Sequence, residues 1–169
     1  AHHGCLARTG FAQAPRVVTV KAYDYRFEAP ATIPAGTITF RMQNLGKELH
    51  HLWIVKLERG KTPADFTKAM QTWGSALRMP DWAVEVGGPN SAGPGMTADG
   101  TMTLEPGTYM MVCLIPSPDG MLHVMKGMVK PLKITARPGG TSQRRALPRP
   151  YDCTLPAAAS ESRARCTVR

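Results

Sequence analysis

The chain has 169 residues, 43% of them hydrophobic, with a formal net charge of +9. That is enough apolar material for one cored domain with appendages, and no apolar run reaches the roughly 18 residues of a membrane-spanning helix. Fifteen prolines and sixteen glycines break the chain into short β-branched or aromatic segments, which argues against a helical bundle.

Residues 1–14 read as an N-terminal extension without periodicity, and a domain is expected over 15–136. Arg16–Tyr23 alternates as a strand, with Val18, Val20 and Ala22 on one side. After Pro30 and a turn at Pro34-Ala35-Gly36, Thr37–Met42 is a second alternating strand and Asn44-Leu45-Gly46 is turn material. His51–Leu57 is apolar nearly throughout, as a central strand is.

Thr62-Pro63-Ala64-Asp65 opens a helix, with a hydroxyl cap, proline at the first helical position and an acid in the first turn. Phe66, Ala69, Met70 and Trp73 then give it one apolar stripe, so a single short helix near 62–73 interrupts the strands. Pro80–Gly100 reads as a long loop with a short strand at Ala83–Val86. Strands follow at Thr101–Leu104, Tyr109–Ile115 and Gly127–Thr135, with a tight turn at Glu105–Thr108. Pro131 marks an edge or a bulge in the last of them. The expected class is all-β.

Chemistry concentrates late in this series. Cys113 ends an apolar strand, His123 and Met128 follow, and the pair His50-His51 lies upstream. Thiolate, imidazole and thioether together form the donor set of a mononuclear copper site. Met125 rivals Met128, and His51 rivals His50; adjacent residues on a strand face opposite ways, so at most one of the two histidines serves. No Ser/His/Asp pattern, phosphate-binding glycine loop or paired carboxylate site advocates catalysis, and no enzyme is expected.

The segments Asn44-x-Gly46-x-x-x-His50-His51, Leu104-Glu-Pro-Gly-Thr-Tyr109 leading to Cys113, and His123-x-x-x-x-Met128 resemble the cupredoxin family over roughly Arg16 to Thr135. The resemblance implies a Greek-key β-sandwich holding copper at one end. His50, Cys113 and His123 would form the ligand plane and Met128 the weak axial contact. His51 would orient the cysteine loop through a hydrogen bond. One departure is plain: nine residues separate Cys113 from His123, where simple blue-copper loops use only a few.

From Arg137 onward the chain reads as a basic, Pro/Arg-rich arm. Over 137–169 seven arginines face two acids, a net +5, and Arg137, Arg144, Arg145, Arg149, Arg163 and Arg165 are its candidate partner contacts. With one tyrosine among these charges, an acidic protein surface or anionic headgroups suit the arm better than nucleic acid. A Cys153–Cys166 disulfide would staple it, worth about 3 kcal/mol in the chain-entropy picture, with Cys5 as a competing partner.

The chain starts without methionine or an apolar leader, from which export to the periplasm or another extracytoplasmic space is expected. Three functions fit. The leading one is a copper electron carrier serving a redox protein or a membrane-bound electron-transport complex. The second is a metal-free accessory subunit of a respiratory or photosynthetic membrane complex, anchored by the terminal extensions. The third is a copper chaperone.

Overall fold

A computed structural model describes residues 14–71 and 78–137. Among these residues nine strands and one helix follow in chain order: β1 Arg16–Tyr23, β2 Arg26–Glu28, β3 Thr32–Pro34, β4 Gly36–Asn44, β5 Trp53–Leu57, α1 Pro63–Gln71, β6 Ala83–Gly87, β7 Thr97–Leu104, β8 Gly107–Val112 and β9 Val129–Thr135. They form two sheets, ordered β2-β1-β4-β7 and β3-β9-β8-β5-β6. The β1/β4 and β3/β9 pairs are parallel and the remaining pairs antiparallel. The fold is an all-β sandwich.

Alternation builds the space between the sheets. Val18, Val20 and Ala22 of β1 and Ile38, Phe40 and Met42 of β4 meet Ile54, Tyr109, Met111, Leu132 and Ile134 of the other sheet in one buried cluster. The outward face of the second sheet is covered as well. Val55, Leu57, Met110 and Val112 pack under Phe66 and Met70 of α1. A strand buried on both faces cannot alternate, which is why β5 and β8 read as continuous apolar runs.

The helix begins as its sequence dictates. The Thr62 hydroxyl accepts from the Asp65 amide at 3.1 Å, and Asp65 Oδ2 accepts from the Thr62 amide at 2.8 Å. This reciprocal cap satisfies amides that have no partner within the helix. The apolar stripe expected to reach Trp73 is described as far as Gln71; Trp73 lies outside the described residues.

One expectation needs correction. Thr97–Gly100, taken as loop, is the first half of β7 and pairs along β4 from Gln43 to Phe40. Asp and Gly are poor strand formers. The ladder itself and the Arg41–Asp99 ion pair at 2.7 Å supply what propensity lacks. The short strands β2 and β3 carry too few residues to show a period. Pro131 sits opposite Met110 on β8, while β3 reaches only Lys133–Thr135, so the ring lies where that second neighbour is absent.

Candidate metal centre

His50, Cys113 and His123 are fully buried at one end of the sandwich, and one donor atom from each lies within 4.8 Å of the other two. His50 Nδ1 stands 3.1 Å from His123 Nδ1, and Cys113 Sγ stands 3.4 Å from the same His123 nitrogen. Two connections deliver these atoms, the one after β4 and the one between β8 and β9.

The loop after β4 is shaped by Asn44, which is fully buried. Its side-chain amide donates to the carbonyls of Glu48 and Ala92, both at 2.8 Å, and its Oδ1 accepts from the Gly46 amide at 2.9 Å. These bonds close a turn that drives His50 inward. His50 then pairs by backbone with Ala92, in both directions.

The nine-residue gap closes on itself. Val124 donates to the Cys113 carbonyl at 2.8 Å, His123 to Ile115 at 2.9 Å and Ser117 to Met121 at 2.9 Å, so residues 114–122 form a small hairpin. Asp119-Gly120 turns it, with Gly120 at φ 82°. A hairpin returns its end to its start, which sets His123 beside Cys113 despite the separation. The chain then makes one tight turn, and Met128 bonds back to both residues: its amide to the His123 carbonyl at 2.8 Å, its carbonyl from the Cys113 amide at 3.2 Å. Met128 is fully buried in the same cluster as Cys113.

The other candidates go elsewhere. His51 Nε2 accepts the Leu114 amide at 2.8 Å, one residue past Cys113, so His51 ties down the cysteine loop. Burial lowers its pKa to about 4, with the neighbouring histidines adding to the effect. Met125 is 45% exposed and lines a surface groove with Met70 and Met121. Arg137 lies against Gly36, where an added Cβ would strike its guanidinium. Cys5, Cys153, Cys166, Arg144, Arg145, Arg149, Arg163 and Arg165 lie outside the described residues; among the described ones Cys113 is a free thiol.

Sequence reasoning missed three residues that face the same rings. His50 Nε2 is 3.1 Å from Asp24 Oδ1, and His123 Nε2 is 2.8 Å from Glu48 Oε2. Tyr25 donates its hydroxyl to Glu48 Oε1 at 2.7 Å and sets its ring edgewise to His123, centroids 5.4 Å apart. Glu48, two residues before the His50-His51 pair, carried the one local hint. Nothing local marks Asp24 or Tyr25.

Electrostatics sharpen the arrangement. Burial would raise the Asp24 carboxyl, but the Lys47 and Glu48 amides and His50 together hold it below its ordinary value. The Tyr25 hydroxyl, with help from His123 and against burial, does the same for Glu48. Burial pushes the Cys113 thiol up, opposed by the backbone of His51 and Ile115. Burial also lowers His50, against the pull of Asp24.

Each Nε2 faces one carboxylate, Asp24 for His50 and Glu48 for His123. A neutral imidazole has one proton to give, so a ring that donates from Nε2 leaves its Nδ1 lone pair facing the other ring or the sulfur. Such a set of donors can hold a metal ion.

His50, Cys113 and His123, from one early and two late segments, thus meet at one end of two packed sheets. Solved structures similar to the chain include a dithionite-reduced auracyanin from the photosynthetic bacterium Roseiflexus castenholzii, 22% identical, covering 73% of this chain and 99% of that one at a TM-score of 0.49. Auracyanin B is 23% identical, with 73% and 92% covered and a TM-score of 0.47. Auracyanin A, a blue copper protein from Chloroflexus aurantiacus, is 21% identical, with 72% and 100% covered and a TM-score of 0.48. No family model and no curated protein matches the chain.

Proposed function

We propose that this protein is a mononuclear copper electron carrier, with His50, Cys113 and His123 as ligands and Met128 as the axial contact. The convergence of two imidazole Nδ1 atoms and one sulfur, with both Nε2 atoms turned to carboxylates, carries the reading. The donor set fits the metal: borderline nitrogen and soft sulfur suit copper in both oxidation states. Copper would supply the one-electron change.

The chain's own residues supply the rigidity that keeps rearrangement between states small. His51 anchors the cysteine loop, the 114–122 hairpin holds His123, and the Met128 backbone bonds to both. The partner would be a redox protein or a membrane-bound electron-transport complex, met in an extracytoplasmic space. No helix among the described residues is long and apolar enough to cross a membrane.

Titration of the purified protein with Cu(II) tests the reading. One equivalent should produce an intense visible thiolate-to-copper absorption that the Cys113→Ser variant lacks. A colourless protein after loading would overturn it.

A further inference from the structure

The tip of the β1–β2 hairpin is built at a conformational cost that its fold alone does not require. Tyr23 and Arg26 pair across the strands, which leaves Asp24 and Tyr25 as a two-residue turn. Tyr25 has φ 64°, and it is the one residue other than glycine with positive φ among the described residues. Turns that need positive φ at their second central position choose glycine or asparagine. A bulky side chain there is an outlier of the kind that collects at functional sites.

Both tip side chains reach the three-residue cluster. The Asp24 carboxylate meets His50 Nε2 and also accepts the Lys47 and Glu48 amides, at 2.9 and 3.2 Å, which pins the tip to the loop carrying His50. Tyr25 holds Glu48, and Glu48 holds His123 Nε2. Lys126 closes over the tyrosine, its Nζ 4.8 Å from the ring centroid and salt-bridged to Asp119 of the 114–122 hairpin at 2.7 Å. Glycine at position 25 would satisfy the backbone and lose the tyrosine's contacts with Glu48, His123 and Lys126.

We propose that the Asp24-Tyr25 tip, together with Glu48, is a positioning clip that fixes both histidines as Nε2–H tautomers and so presents both Nδ1 lone pairs to a metal ion. This rests on the metal-binding reading. Through Asp24 the clip orients His50, and through Tyr25 and Glu48 it orients His123. Carboxylates behind ligand histidines raise their basicity, and losing one typically weakens metal binding about 10- to 100-fold. The two anions also favour the more highly charged metal state.

The test uses cobalt(II) as probe, with affinity from chelator competition and ligand geometry from the visible spectrum, alongside nitrogen-15 NMR of the histidine rings in metal-free protein. The wild type should show both rings as Nε2–H. Asp24→Ala and Glu48→Ala should each weaken cobalt binding about 10- to 100-fold, and each should mix the tautomers of its own histidine. Glu48→Gln, whose amide oxygen still accepts, should recover part of the loss. Tyr25→Gly should also bind more weakly, while its metal-free melting temperature holds or rises.

Unchanged affinity, spectra and tautomers in these folded variants would overturn the clip and leave the metal site standing. A wild type that takes up no cobalt would overturn both.

Discussion

Gly46 lies so close to His50 that a Cβ on the glycine would fall 2.7 Å from His50 Nε2 and closer still to Asp24 Oδ1. Real Cβ contacts do not approach so near, and the Asp24 backbone amide blocks the remaining side. The glycine is there for space. It lets the hairpin tip and the β4–β5 loop touch, and that touch orients His50.

Gly46→Ala should therefore separate Asp24 from His50. Forced overpacking of this kind costs about 1–3 kcal/mol. Denaturant unfolding should show a loss in that range, with metal binding weakened in the same variant. A Gly46→Ala protein with wild-type stability and affinity would mean that the loop relaxes without consequence.

Stability should fall on mild acidification because of His51. Its pKa is lowered from 6.5 to about 4, chiefly by burial. Between those values the unfolded chain takes up a proton that the folded chain refuses, so its contribution is complete above about pH 6.5 and is lost as pH falls toward about 4. The whole effect is roughly 3 kcal/mol, and His50, lowered in the same direction, adds to it. Urea midpoints of the metal-free protein across this window should drop, and His51→Gln, which can still accept the Leu114 amide, should flatten the slope.

The helix side of the molecule should separate cleanly from the cluster of His50, Cys113 and His123. Phe66 is fully buried against the outer face of the second sheet and sets its ring edgewise to Trp82, centroids 6.4 Å apart. Phe66→Ala should cost about 3–5 kcal/mol. Its metal spectrum should match the wild type, because His50, Cys113 and His123 meet at the end of the sandwich and not beneath α1.

The sequence shows the parts of this fold whose signals are local. β1 alternates, α1 announces its cap with Thr62-Pro63-Ala64-Asp65, and β5 and β8 carry the apolar runs of strands covered on both sides. What stayed hidden depends on closure in three dimensions. Thr97–Gly100 is strand because β4 lies beside it, not because of its own residues. The Cys113–His123 gap looked too long until Pro116 and Leu122 paired across it as part of a hairpin. Asp24 and Tyr25 are ordinary turn-region letters in the sequence, and only the packing of the β1–β2 tip on the 44–50 loop gives them a role. Adjacent His50 and His51 could not be ranked by residue type alone, since the choice turns on which ring meets Leu114 and which meets His123.

The central claim is that His50, Cys113 and His123 hold one metal ion together. X-ray absorption at the copper edge, on protein carrying one equivalent of copper, tests it most directly. The account predicts a first shell of one short sulfur and two imidazole nitrogens, with the sulfur lost in Cys113→Ser and one imidazole lost in His123→Ala. A shell of nitrogen and oxygen alone, unchanged in those variants, would contradict it.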